Sequence, residues 1–388
     1  MKKVAIVSCY FKKNYGSMLQ AYATQKILDN MNIDNETINI ESNLDFKKGK
    51  RNFYKSQLLN FGFIKSKLGM IKLKLDKKIN KQLKNNLKIR DREFEKFKTK
   101  FRLTKPFYNY KEMTEYCNNY SDVIVGSDQL WLPVNIVADY YTLSWVPEKV
   151  NKISYATSFG VSNIPKKYYE KYSDFLKRIE HISVREKNAC DMVKKLSGRD
   201  ASLVCDPTLL LNKKEWEDIQ PDKPKIEKNY IFCYFLGKNI EHRKFVERLK
   251  EKTGYEIVSI NHCDEYVKYS DKFADEIPYD VGPGDFVNLI KNAKYVCTDS
   301  FHGTVFALIN HIDFFTFERF NEKNSKMSTN SRIYSLLDLV NLKDRLLKGN
   351  ENIEKVLEQN INFEKVDKKI ENFRNNSKEY LKKALKHN

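Results

Sequence analysis

Two short segments of this chain carry residue types that bind and protonate small anions. In Thr298-Asp299-Ser300-Phe301-His302-Gly303, polar residues follow the strand-length run Tyr295–Thr298 and lead into a helical pattern. A helix starting there leaves its first backbone amides without intrahelical partners, and its dipole adds positive potential, so an anion is attracted to that end. Ser300 and Gly303 belong to this turn, and the missing side chain of Gly303 lets backbone approach a ligand closely. His302 stands at the lip, where an imidazole can donate to a phosphate or deliver a proton near neutral pH. The competing reading makes Ser300 or Asp299 a plain N-cap and His302 a turn histidine with its hydrogen bonds satisfied. The second segment, Ile182–Lys187, puts Arg185 directly after a short strand. A planar guanidinium there suits a carboxylate or phosphate; alternatively it pairs with Glu186.

Three further segments are weaker. Asn14-Tyr15-Gly16-Ser17 opens a helical stretch after a strand, like a shortened phosphate loop, yet it lacks GxGxxG and the Walker lysine. Val125-Gly126-Ser127-Asp128-Gln129 ends another strand, and Asp128 can accept a proton from a sugar hydroxyl or simply cap the next segment. Arg319, Lys323, Lys326 and Arg332 follow the strand after His302, as further cations for an anion or as a solvated basic loop. No GxSxG elbow, HExxH motif or carboxylate cluster is present, and the six histidines do not pair at ligand spacing, so no metal is expected.

These residues need strands and helices to hold them. With 388 residues, 41% of them hydrophobic, the chain exceeds one ordinary core and fits two domains. Apolar runs at Val4–Cys9, Thr37–Ile40, Val123–Val125, Ile153–Ala156, Ile182–Val184 and Ala201–Cys205 read as strands, and Leu19 to Met31 has helical spacing. A polar stretch, Asn212–Lys228, holds Pro221 and Pro224 and reads as a linker. Strands then return at Tyr230–Leu236, Tyr255–Ile260, Tyr295–Thr298 and Asp313–Phe317. Helices are expected at Ile240–Lys252, Asp285–Asn292 and Thr304–Ile309, with a helical tail from Ser331. The expected division is 1–211, linker 212–228, and 229–388 including the tail. Two α/β domains of this kind face a cleft at the carboxyl ends of their strands.

Composition narrows the function classes. The seven cysteines are scattered with no CxxC pair, which argues against a disulfide framework and a zinc site and for a cytoplasmic protein. The opening apolar run is cut by Lys12 and Lys13, as in a first strand rather than a signal peptide, and no run of eighteen apolar residues follows. The formal charge is +19, and between Lys47 and Lys105 twenty-one lysines and arginines face four acids, so most of the excess sits in one insertion. Residues 53–101 are helical in composition. They read as helices with a solvated basic face or as a membrane-facing amphipathic segment. No nucleic-acid motif accompanies this charge, and no nucleic acid is expected as partner.

In order along the chain, Asn14-Tyr15-Gly16-Ser17 with Leu19–Ala23, Val125–Trp131, Ser154–Gly160, Ser183–Glu186, Asp206-Pro207-Thr208 and Asp299–Gly303 resemble the polysaccharide pyruvyl transferase family. The insertion and the tail lie largely outside the resemblance. It implies a glycosyltransferase-B-like fold, two Rossmann-like domains facing a central cleft, with the basic helical insertion 47–105 in the N-terminal one. It also implies a reaction in which the pyruvate unit of phosphoenolpyruvate becomes a cyclic ketal on two sugar hydroxyls, with phosphoenolpyruvate as co-substrate and no cofactor or metal. By the resemblance, Arg185 and His302 hold the donor, together with Ser300 and Gly303, and His302 is the general acid. Lys323 or Lys326 completes the donor set. Asn14, Tyr15, Gly16, Ser127 and Asp128 lie on the acceptor side, Asp128 with a catalytic role. The implied acceptor is an unfinished capsule, exopolysaccharide or cell-envelope saccharide, often lipid-linked, and the protein is expected in the cytoplasm. The 47–105 segment is then expected to dock peripherally on anionic lipid at the inner membrane face. The alternative is a glycosyltransferase of the same architecture using a nucleotide sugar; that donor calls for a base-stacking aromatic and a ribose-binding carboxylate after the later C-terminal strands, where the stretch Phe315–Lys326 is basic instead.

Overall fold

The structure is a computed structural model and describes residues 3–58, 80–262, 269–319 and 331–385, with Leu73, Asp76 and Val267 between them. Six parallel strands form the first sheet: β1 (Lys3–Val7), β2 (Asp34–Thr37), β3 (Asp122–Asp128), β4 (Asn151–Thr157), β5 (His181–Val184) and β6 (Ser202–Leu203). Their spatial order is β2-β1-β3-β4-β5-β6. The second sheet holds β7 (Tyr230–Tyr234), β8 (Glu256–Ser259), β9 (Tyr295–Thr298), β10 (Asp313–Phe317) and β11 (Leu346–Leu347), again parallel, in the order β11-β10-β9-β7-β8. Counted from its own first strand, each half follows one plan, in which the first strand lies between the second and the third. Crossovers leave in opposite directions at that point, between β1 and β3 and between β7 and β9. A crevice opens there at the carboxyl ends. These are two Rossmann-like domains of a glycosyltransferase-B-like fold, as the sequence led one to expect.

Burial explains which runs became strands. β3 and β4 are paired on both sides and buried along their whole length, as near-continuous apolar parallel strands must be. The edges differ from expectation. The second strand is Asp34–Thr37 rather than Thr37–Ile40: it is in register with Lys3–Ile6 of β1, Thr37 also bridges Leu103 on its outer side, and Ile38 and Ile40 pack into the core just past it. At the other edge only Ser202–Leu203 of the expected Ala201–Cys205 pairs, and both residues are exposed.

Helix α1 (Tyr15–Asn30) is buried almost throughout because both lobes pack on it; Asn14 caps it, accepting the Ser17 amide at 3.1 Å. The basic insertion supplies α2 (Leu44–Ser56) and α3 (Lys81–Lys98). Leu83, Leu87, Phe94 and Phe97 form the apolar face of α3. Phe94 and Phe97 meet Tyr15 and Tyr22 of the first lobe at 4.8 and 5.8 Å between ring centroids. Arg90 reaches the second lobe and donates to the Asn261 carbonyl at 2.5 Å. Helix α3 therefore straps the two lobes together.

Helices α4 (Tyr169–Arg178) and α5 (Lys187–Ser197) pack on one another beside β5. The short α6 (Pro207–Leu210) precedes the expected linker. That linker is docked: its Trp216 is buried against Tyr22 and Phe306, at 6.0 and 4.9 Å. The second lobe adds α7 (Ile240–Thr253), α8 (Pro283–Lys291) and α9 (Phe301–Asn310), followed by α10 (Ser331–Val340) and α11 (Phe363–Leu385). The sequence assigned the tail to the second domain, but α11 crosses back to the first. Ser377 Oγ accepts the Cys205 amide at 2.9 Å, and Tyr380 and Asn151 bond across at 3.1 and 3.0 Å. No described helix is long and apolar enough to cross a membrane.

Candidate active site

The carboxyl ends of β1, β3, β7, β9 and β10 converge on one cavity of about 590 Å³. Lys12 and Asn14 follow β1, Asp128 ends β3, and Ser300 and His302 follow β9. Arg319 comes from just past β10 and Arg332 from the start of α10, while Lys50 and Tyr54 reach in from α2. Both topological switch points thus open into the same space.

Helix α9 begins at Phe301, earlier than the spacing Thr304–Ile309 predicts, so His302 lies in its first turn rather than in a loop. Ser300 is its N-cap, accepting the Gly303 amide at 3.3 Å. The capping reading therefore holds for Ser300 but not for His302. The imidazole is 7% exposed, and its Nε2 has no hydrogen-bond partner among the described residues. The Asp206 carboxylate faces that nitrogen at 3.7 Å. The ring is seated from the opposite lobe: a Cβ on Gly16 would lie 2.0 Å from His302 Nδ1, so only glycine leaves room. Gly303 serves packing rather than ligand approach, because a Cβ there would meet Thr298 Oγ1 at 2.7 Å.

Asp206 organises the cavity floor. It caps α6, with Oδ1 accepting from the Thr208 amide and hydroxyl at 3.0 and 2.7 Å, while Oδ2 accepts from Arg185 and Ser127 at 2.6 and 3.0 Å. Burial alone would raise its carboxyl, but His302 and Arg185 outweigh burial and hold it far below the usual carboxylate range.

Arg185 does not reach the cavity. Its side chain is wholly enclosed beneath the floor, bound to Asp206 at 2.6 Å and Asp128 at 3.2 Å, with Glu186 at 3.8 Å from Nε. The expected donor contact is replaced by a scaffold role, since the guanidinium is enclosed, with its two terminal nitrogens taken by Asp206 and Asp128 and Nε turned to Glu186. Arg332 takes the open position. It lies over the Phe301 ring at 5.8 Å, its Nε has no partner among the described residues, and burial and then Arg185 push it down to about 10. Lys323 and Lys326 fall outside the described residues.

Asp128 lines the cavity, bonded by Ser17 Oγ at 2.6 Å and its neighbour's amide, Gln129 N, at 2.8 Å. Burial would raise it, but Arg185, Lys12 and His302 prevail and hold it far below the usual range. A carboxylate so stabilised is a weak proton acceptor and acts as an electrostatic anchor instead. Of the other expected acceptor residues, Asn14 lines the cavity while capping α1. Tyr15 is fully buried, stacked on Phe286 at 4.8 Å and donating to the Val281 carbonyl, and so belongs to the lobe interface. Ser127 is fully buried in the floor, and Gly16 lies under His302.

Lys12, Lys50, Tyr54 and His262 were not singled out as site residues in the sequence, and Asp206 entered only as part of a motif, without a role. Asp206-Pro207 carries the signature of an N-cap followed by proline, which marks a fixed carboxylate. Lys50 was hidden among the insertion's many cations. Its ammonium lies over Phe46 at 4.3 Å, and burial and then Lys12 push it down to about 8. Burial, Arg319 and Arg90 push His262 down to about 3, so that imidazole stays neutral. Among the described residues no cluster of His, Cys, Asp and Glu could hold a metal ion, and the six described cysteines are free. A groove of about 640 Å³ beside α11 lies away from both switch points, and its His311 is already paired with Asp367 at 3.0 Å.

Comparison with solved structures returns UDP-GlcNAc 2-epimerases. The one from Methanocaldococcus jannaschii is 14% identical, with 96% of this chain and 92% of that chain covered and a TM-score of 0.49. That from Neisseria meningitidis is 10% identical, with 99% and 100% covered and a TM-score of 0.45. No curated protein matches the chain. The family model for polysaccharide pyruvyl transferase matches residues 14–319, a span that runs from the cap of α1 to the arginine past β10 and holds most of the cavity lining, with Lys12, Lys13, Arg332 and Ile333 outside it. The chain belongs to the polysaccharide pyruvyl transferase family.

Proposed function

We propose that this enzyme transfers the pyruvate unit of phosphoenolpyruvate to two hydroxyls of a saccharide, a precursor of a cell-surface polysaccharide, and closes a cyclic ketal. The observation that carries this reading is that His302 and Arg332 line one cavity beside the first turn of α9, His302 Nε2 facing the Asp206 carboxylate at 3.7 Å and Arg332 Nε without a hydrogen-bond partner among the described residues. The donor brings a phosphate and a carboxylate. Arg332, Arg319 and the helix amides suit those anions, and His302 suits the carbon that must be protonated.

Protonated His302 gives its proton to C3 of the enol, and C2 becomes electrophilic. One acceptor hydroxyl attacks C2, and the phosphate leaves with the electrons of its C2–O bond. The second hydroxyl then attacks C2 and closes the ring. Of the two hydroxyl protons released, one restores His302 and the other leaves with phosphate. His262 is held neutral, so His302 is the imidazole fitted to the acid role. Arg185 acts through Asp206 and Asp128, fixing the floor on which His302 rests.

The test incubates the protein with phosphoenolpyruvate and a panel of saccharides, reading phosphate release and the mass gain of a ketal. Release coupled to the gain, and lost in His302→Gln, is the expected result. Transfer from a nucleotide sugar without phosphate release from phosphoenolpyruvate would establish the glycosyltransferase alternative instead.

A further inference from the structure

The cavity holds more positive charge than a three-carbon donor needs, and that charge falls into two groups. On the C-terminal side, Arg319 and Arg332 flank the start of α9, and the charges felt by Arg332 are those of Arg185, Asp128, Glu186 and Arg319. On the N-terminal side, Lys50 feels Lys12 and the Cys9 thiol. Lys50 is half-buried with its ammonium over the Phe46 and Phe11 rings, at 4.3 and 6.0 Å, and no carboxylate among the described residues pairs with it. Lys13, by contrast, is turned to Asp91 at 3.1 Å. Lys12 also helps to hold Asp128 ionised, whereas Lys50 is half-buried beside Lys12 with no carboxylate offsetting it among the described residues, and a bound anion relieves that burial and repulsion.

Helix geometry adds a second feature. Lys50 and Tyr54 are four residues apart on α2 and share one face. Both line the cavity. An aromatic ring one turn from an ammonium offers a flat surface for the carbon face of a sugar and a charge for a substituent on it.

We propose that Lys50 and Lys12 form a second anion subsite, on the acceptor wall, and that the saccharide acceptor carries an oxyanion there, as a phosphate ester or a carboxylate. This inference rests on the pyruvyl-transfer reading for the word acceptor, but the subsite itself can be tested without turnover. The donor is the poorer occupant, because its two anions are matched by the arginines and helix end of the opposite wall.

Calorimetry on the full chain, without phosphoenolpyruvate, compares a glycosyl 1-phosphate, the corresponding glycuronic acid and the neutral methyl glycoside. Wild-type protein is expected to bind one or both charged sugars at least about tenfold more tightly than the neutral one, and the tighter arm tells phosphate from carboxylate. Lys50→Met removes that preference while phosphoenolpyruvate affinity holds and the thermal midpoint does not fall; Lys50→Arg preserves it. Equal binding of charged and neutral sugars by wild type overturns the proposal. So does a Lys50→Met variant that keeps the preference, or one that loses phosphoenolpyruvate binding instead, which would assign Lys50 to the donor. A separate assay of phosphate release with the same sugars reads the transfer reaction. Charged-sugar binding that depends on Lys50, with no release from any acceptor, would sink the transferase reading and leave the subsite standing.

Discussion

Arg185 and Arg332 both lie over the ring of Phe301, at 5.2 and 5.8 Å, yet their substitutions should have opposite consequences. Removing Arg185 leaves Asp206 and Asp128 as buried carboxylates without their counter-charge, and breaking such a pair costs about 3–5 kcal/mol. Urea unfolding of Arg185→Met should show that loss. Arg332 is a largely enclosed cation whose Nε has no partner among the described residues. Arg332→Met should therefore keep or raise the thermal midpoint while weakening phosphoenolpyruvate binding by about 10–100-fold, read by calorimetry. His302→Gln retains the packing of the ring site and should lower kcat by about 100-fold or more, the usual worth of a positioned acid. Lys50 gives a pH signature. Its folded value of about 8 lies below the ordinary lysine value of 10.5, so between those values the unfolded chain holds more protons and stability rises with pH. The penalty is present in full below about pH 8 and fades above it. Melting curves of wild type minus Lys50→Met across that window should show the rise, and a flat difference would remove the buried ammonium from the account.

At the scale of elements, the site depends on how closely α1 and α9 approach from opposite lobes. Gly16 is the contact point, and Gly16→Ala forces the His302 ring to move. Displacement of about 1 Å costs on the order of 100-fold in rate, so kcat should fall while circular dichroism stays unchanged. A variant with full activity would show that the ring position is immaterial. Helix α3 sets the lobes against one another, and Phe94→Ala should cost about 3–5 kcal/mol, measured by denaturant unfolding. The helical composition of residues 53–101 was legible, because composition is local. The surface that α3 covers was not, since Tyr15, Tyr22 and Asn261 are distant in sequence. The same limit explains why the return of α11 to the first lobe was not read and why two edge strands differ by a few residues from the expected spans.

For the whole molecule, the +19 charge is divided between two purposes. Lys47, Lys48, Arg51, Lys55, Lys84 and Lys88 are exposed on α2 and α3, whereas Lys50 turns into the cavity. Docking on anionic lipid, expected from the insertion's charge, should appear as flotation with anionic vesicles at low salt that is lost at high salt, each near-surface cation contributing about 1 kcal/mol. Equal binding to neutral vesicles, or binding to neither, would reject it.

Alternating apolar runs and helical spacings were sufficient to establish two parallel-sheet lobes and to mark the strand ends after which Asn14, Asp128, Ser300 and His302 stand. Those are properties of neighbouring residues, and hydrophobic pattern encodes them directly. Which guanidinium lies under the cavity floor and which in its wall was settled only by folding. Arg185 meets Asp128 and Asp206 at separations of 57 and 21 residues. Burial and charge pairing between such positions depend on how the crossovers bring strand ends together, and no local pattern records that.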